Sequence, residues 1–119
     1  MIPFRSELRP FLEEFVETHR GARPGKMFGL PALYAGRRLF ACLIEDGIIV
    51  RLPPEIARRE IRNGAKPFSK RMRQTGSWVL YRPRSIVAAR RLVPVLELAA
   101  REVARRQAEE MTGVSLRRK

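Results

Sequence analysis

The stretch "ALYAGRRLFACLIEDGIIVRL", residues 32–52, predicts the centre of a β-sheet. It contains three runs rich in β-branched and aromatic residues, "ALYA", "RLFACLI" and "IIVRL", which are separated by Gly36 and by the "EDG" of residues 45–47. Short connections that contain glycine are typical of β-hairpins. We therefore predict three consecutive antiparallel strands here, and one more strand around residues 26–29.

Helical patterns flank this stretch on both sides. One apolar helix face before it is formed by Leu8, Phe11, Leu12, Phe15 and Val16. Pro10 is best tolerated in a first turn, so this helix should begin near Arg9. After the stretch, "PPEIARREIRNG" (53–64) predicts a short second helix, and a third is predicted over about 94–110. The third helix should bury Val95, Leu98, Ala99 and Val103 and expose the pairs Glu97–Arg101 and Glu102–Arg106.

The order of these elements predicts the fold class. "AKPFSKRMRQTG" (65–76) shows no period and is predicted to be a loop, whereas "SWVLYR" (77–82) alternates like a strand. The order helix, three or four strands, helix, strand, helix indicates an α+β two-layer domain, an antiparallel sheet backed by helices. We expect one domain over residues 1–119, with an ordered core at about 4–110 and a basic tail at 112–119. The residues predicted to be buried between sheet and helices are Phe28, Leu39, Phe40, Ile49, Val50, Trp78 and Leu80.

The net charge of +13 is concentrated in the second half of the chain. Residues 1–50 carry seven Lys and Arg against six Asp and Glu, whereas residues 51–119 carry eighteen against six. A positive field of this size attracts polyanions, although an arginine-rich solvated surface would have the same composition. The predicted contacts for nucleic acid or an acidic partner are Arg58, Arg62, Lys66, Lys70, Arg71 and Arg73.

The residue types that catalysis and metal binding need are scarce. Cys42 lies in an apolar run typical of a sheet core, and His19 follows a helix whose dipole a basic residue complements. One cysteine and one histidine are too few for a usual structural zinc site, and no glycine-rich nucleotide loop occurs. We therefore predict no enzyme activity, no metal and no cofactor.

The apolar runs are too short to span a bilayer, which takes roughly 20 residues. No secretory signal is legible at the N-terminus, and a single cysteine cannot form an intrachain disulfide. These features predict a cytoplasmic protein without a membrane partner.

An ordered series of short motifs runs along the chain. They are "KMFG" (26–29), Pro31, Tyr34, "FA" (40–41), "RLP" (51–53), "GA" (64–65) and "PF" (67–68). In this order and spacing they resemble the N-terminal domain of the TfoX/Sxy family, over about residues 15–110. Larger members carry a second, C-terminal domain. A sequence of 119 residues has no room for both, so we expect a stand-alone N-terminal domain.

The resemblance implies the same α+β fold and no catalytic residues. It also implies a regulatory role, since the family is linked to natural competence, in which members cooperate with the cyclic-AMP receptor protein at promoters. The leading hypothesis is therefore a non-enzymatic regulatory or protein-interaction domain whose partner belongs to the transcription machinery. Direct, weakly sequence-selective binding of nucleic acid is the alternative. A homodimer that covers a sheet face or edge is also predicted.

The family motif is interpreted as a structural corner where the chain enters the sheet. Its residues are Lys26, Met27, Phe28, Gly29 and Pro31. Met27 and Phe28 should anchor the edge of the core, Gly29 should adopt a backbone conformation that other residues resist, and Pro31 should fix the exit.

Overall fold

The computed structural model describes residues 3–68 and 77–117, with side chains described to residue 111. Its α-helices are α1 (Arg9–Thr18), α2 (Pro54–Arg62), α3 (Ile86–Ala89) and α4 (Val93–Arg117). Its strands are β1 (Ala22–Met27), β2 (Leu30–Ala35), β3 (Arg38–Ile44), β4 (Gly47–Leu52), β5 (Lys66–Pro67) and β6 (Ser77–Tyr81). Short 3-10 turns at Ser6–Leu8 and Arg90–Leu92 precede α1 and α4.

The six strands form one antiparallel sheet in the order β1-β2-β3-β4-β6-β5. The predicted meander of three strands forms β2, β3 and β4, and "SWVLY" forms β6. The predicted α+β class with an antiparallel sheet is confirmed. The additional strand predicted around residues 26–29 lies earlier in the chain, because β1 covers Ala22–Met27 and Phe28 and Gly29 form the turn to β2.

The main core lies between one face of the sheet and the helices. The large side chains that are fully buried in it are Leu8, Phe11, Phe15, Leu33, Phe40, Leu43, Ile48, Val50, Leu52, Val79 and Leu96. Helix α1 contributes Phe11 and Phe15, and α4 contributes Leu96, so the two helices cover the same face.

The opposite face of the sheet carries a second buried cluster. Its members are Leu30, Ala32, Cys42, Ile49, Trp78 and Leu80. Neighbouring strand residues point to opposite faces, so Ile49 lies on this face while Ile48 and Val50 face the helices. The prediction that Ile49, Trp78 and Leu80 pack against the helices is therefore wrong in the choice of face, although all three are buried. Leu39 packs against this second cluster and is only partly buried.

A β-bulge in β3 explains why Phe40 and Ala41 both belong to the main core. Leu33 is paired with Ala41, whereas the next residue of β2, Tyr34, is paired with Leu39. Phe40 is thus the extra residue on β3, and the strict alternation of faces breaks at this point. Both side chains are fully buried on the helix-covered side.

The segment predicted to be a loop over 65–76 contains the short strand β5. Lys66 is paired with Leu80 and Pro67 with Val79, and the Phe68 amide donates to the Trp78 carbonyl oxygen at 3.0 Å. A two-residue strand is too short to show a period in the sequence. Pro67 lacks an N–H, which suits a strand at the edge of the sheet.

Helix α4 extends beyond its predicted end near residue 110, to Arg117. The residues that it buries fully are Leu96, Ala99 and Val103, whereas Val95 and Leu98 are half-buried. The predicted pair Glu102–Arg106 is present at 3.6 Å, but Glu97 pairs with His19 instead of Arg101. In the described part of the chain, no helix has the length and apolar character needed to cross a bilayer.

Candidate functional site

The predicted corner at residues 26–29 is the tip of a two-residue β-hairpin. Met27 and Leu30 form the last pair of β1 and β2, and the chain reverses through Phe28 and Gly29, whose φ angles are +52° and +83°. Positive φ at both central residues is the signature of a type I′ turn, the common two-residue hairpin connection. The Tyr34 hydroxyl donates to the Lys26 carbonyl oxygen at 2.8 Å and braces the hairpin behind this tip.

Phe28 does not anchor the core, contrary to prediction. Its side chain is 82% exposed, whereas Met27 packs partly against the second cluster. The reason is geometric, since a residue in the turn lies beyond the last cross-strand pair and has no sheet face to point to. Gly29 has the left-handed backbone expected of it, and Pro31 lies within β2 opposite Lys26.

The structure describes three of the six predicted basic contacts. Arg58 and Arg62 lie four residues apart on α2 and are exposed, while Ala57 on the other side of the helix is buried. Lys66 follows on β5, after a turn in which the Ala65 amide donates to the Glu60 carbonyl oxygen at 3.0 Å. Lys70, Arg71 and Arg73 lie outside the described residues.

In the described ranges, neither Arg58 nor Arg62 has a carboxylate beside it, a feature that they share with other arginines such as Arg20 and Arg101; six arginines are paired. Arg90, for example, lies 3.0 Å from Glu14, and Arg105 contacts Glu102 at 2.5 Å. The two unpaired guanidinium groups on α2 are therefore available to an external anion.

His19 joins the end of α1 to α4. Its Nε2 lies 2.8 Å from the Glu97 carboxylate, its Nδ1 lies 2.9 Å from the Phe15 carbonyl oxygen, and its ring stacks on Phe15 with centroids 3.9 Å apart. The hydrogen bond to Glu97, and secondarily the Phe15 carbonyl, raise the pKa of His19 above its ordinary value despite partial burial. A doubly protonated ring donates to both acceptors at once.

A cleft of about 310 Å³ opens beside this pair, between the end of α1 and α4. Its polar rim consists of His19, Arg20, Glu97 and Arg101, and its floor of Gly21, Ala22, Ala100 and Ala104. The cleft exists because the floor residues are small. Open space surrounds the position that a Cβ atom would take on Gly21.

Cys42 and His19 do not form a catalytic pair. Cys42 is fully buried in the second cluster, whereas His19 stacks on Phe15 of the main core. Burial raises the pKa of the Cys42 thiol to about 12, which leaves almost no thiolate at neutral pH. Among the described side chains, no three His, Cys, Asp or Glu residues are placed to hold a metal ion.

The cleft is the feature that sequence reasoning missed. His19 and Glu97 are separated by 78 positions, and no local pattern indicates that they meet. The small residues Ala100 and Ala104, four apart on one side of α4, are the one sequence signal that could have indicated a gap beside this helix.

Comparison with known proteins adds no relative to this description. No family model, no curated protein and no solved structure matches the chain.

Proposed function

We propose that the chain is a small, non-enzymatic protein-interaction domain that contacts its partner through the tip of the β1–β2 hairpin. The observation that carries this proposal is Phe28, which is 82% exposed and has a φ of +52°. The resemblance to the TfoX N-terminal domain supports a regulatory role for the contact, with a partner from the transcription machinery.

The fold itself gives no reason for phenylalanine at this position. The first central residue of a type I′ turn is ordinarily Asn, Asp or Gly, because these tolerate positive φ. A bulky side chain in that conformation costs on the order of 1–2 kcal/mol. An exposed aromatic ring on a braced hairpin has the character of an interface anchor, since aromatic residues dominate the energetics of many protein interfaces.

Affinity isolation of tagged wild type and two variants from cells tests the proposal. Phe28→Asn removes the ring and suits the turn, so it should remove the co-isolated partner while leaving the domain folded. Val87→Asn is the matched control, because Val87 is also a large exposed apolar residue, at 69%. The proposal requires at least one protein that is present with wild type and Val87→Asn and reduced at least tenfold with Phe28→Asn. Identical sets of proteins from all three would contradict it.

Weakly selective binding of nucleic acid is a second candidate, and the unpaired Arg58 and Arg62 on α2 favour it. Contacts would go mainly to phosphates, because exposed guanidinium groups attract phosphate oxygens whatever the base sequence. Neutralising about four phosphates gives a log–log salt slope near −3 to −4 on duplex DNA.

Titration of a labelled duplex at several salt concentrations separates this candidate from the first. The double variant Arg58→Ala/Arg62→Ala should reduce the slope by about 2. The control Arg9→Ala/Arg91→Ala removes the same charge from exposed positions outside α2 and should leave the slope unchanged. If both double variants reduce the salt slope equally, binding depends on net charge alone and not on Arg58 and Arg62 in particular.

A further inference from the structure

We infer that the cleft between α1 and α4 is a binding site for a small amphipathic anion, a molecule with one carboxylate or similar acidic group on a flat apolar body. The cleft is separate from the proposed partner contact. Ala22 on its floor and Met27 beside the hairpin tip stand at opposite ends of β1, which spans roughly 17–20 Å at about 3.3 Å per residue.

The size and lining of the cleft suit a small molecule. Its volume of about 310 Å³ is at the lower end of the range of small-molecule sites. The floor is apolar and free of large side chains, because Gly21, Ala22, Ala100 and Ala104 present at most a methyl group. A planar apolar body can cover such a floor without displacing any side chain.

The charges on the rim select an anion. His19 and Glu97 are paired with each other at 2.8 Å, so the Glu97 carboxylate already has a hydrogen-bond partner. Arg20 and Arg101 remain, both exposed, and in the described part of the chain neither has a carboxylate partner. With two guanidinium groups against one carboxylate, the rim therefore carries net positive charge above an apolar floor.

The C-terminus of α1, which is the negative end of its dipole, lies beside the cleft, and local groups donate hydrogen bonds to two of its carbonyl oxygens. The Thr18 hydroxyl donates toward the Phe15 carbonyl at 3.2 Å, and the His19 amide donates to the Val16 carbonyl at 3.4 Å. His19 Nδ1 supplies a further donor to Phe15. These local donors offset part of the negative charge at the helix end, and Arg20 and Arg101 take no part in these bonds.

Binding of three probes tests the inference, with backbone amide shifts measured by NMR on the whole chain. The probes are naphthalene-2-carboxylate, its neutral analogue naphthalene-2-carboxamide, and inorganic phosphate. We expect the carboxylate to bind one-to-one and to shift the amides of residues 19–22 and 97–104. The neutral amide and inorganic phosphate should each bind at least tenfold more weakly. The amide lacks the negative charge, and phosphate lacks the apolar body.

Variants of the floor and rim sharpen the test. Gly21→Leu fills the cleft at a position with open space and an ordinary φ, so it should abolish binding without unfolding the domain. Arg101→Ala should weaken the carboxylate about tenfold through loss of a charge-assisted contact. The control Arg91→Ala removes an exposed charge outside the cleft and should change affinity less than twofold. The inference is overturned by shifts located elsewhere, by equal binding of carboxylate and carboxamide, or by unchanged binding in Gly21→Leu.

Discussion

At the scale of single residues, Phe28 combines a bulky side chain with a positive φ angle that such a side chain disfavours. Replacing it by Asn relieves the strain of positive φ in the type I′ turn and removes an exposed apolar ring. We expect Phe28→Asn to stabilise the free domain by about 1 kcal/mol in urea unfolding. A destabilised Phe28→Asn variant would mean that the ring contributes to the fold, which would remove the basis of the proposed interaction.

Gly47, in contrast to Phe28, is a residue type that the local backbone requires. Its φ is +151°, and a Cβ atom there would lie 2.1 Å from the Tyr81 carbonyl oxygen on the neighbouring strand. Gly47→Ala should therefore destabilise the domain by about 2–4 kcal/mol, measured by urea unfolding.

Gly21→Ala is the matched control for this measurement. Gly21 has an ordinary φ and open space around it, so alanine should leave stability unchanged or raise it by up to about 1 kcal/mol. Similar losses in both variants would show that the contact with Tyr81 is not the cause.

At the scale of elements, the His19–Glu97 pair couples α1 to α4, and its contribution depends on pH. The folded pKa of His19 is raised above the ordinary value of 6.5, so the folded state binds the proton more tightly than the unfolded chain. The stabilisation is fully present below pH 6.5 and is lost as the pH rises through the folded pKa. The pair is partly exposed, so its contribution should not exceed about 1 kcal/mol.

Unfolding of wild type and Glu97→Gln at two pH values measures this coupling. The difference in unfolding free energy between them should be largest near pH 5.5 and should shrink near pH 8.5. Arg91→Ala, which lies outside the pair, should differ from wild type by the same amount at both pH values. A difference between wild type and Glu97→Gln that grows with pH would contradict the coupling.

The elements also show what local sequence patterns determine. The meander and the start of α1 at Arg9 were predictable, because turn residues and apolar spacing are short-range signals. The bulge at Phe40 was not, since it depends on the register between β2 and β3.

At the scale of the whole molecule, the fold class and the exposed pair Arg58 and Arg62 were predictable, whereas the exposure of Phe28 and the cleft were not. A sheet with apolar residues on both faces gives no sequence signal for which face the helices cover, so Ile49 was assigned to the wrong side. Phe28 was assigned to the core because it is apolar. Its position directly before Gly29 is also compatible with a turn, and the structure places it there. The cleft lies between residues 19–22 and 97–104, two segments far apart in sequence that only the tertiary fold brings together.

The proposed function depends on a contact between Phe28 and a protein partner. Photocrosslinking tests for this contact, with p-benzoyl-phenylalanine in place of Phe28 in cells that make the tagged domain and in place of Val87 as the control. Irradiation should produce one discrete adduct, identifiable by mass spectrometry, from position 28 and none from position 87. An adduct with a second copy of this chain would identify that copy as the partner, in agreement with the predicted homodimer. The absence of any adduct from position 28, or the same adducts from both positions, would contradict the account.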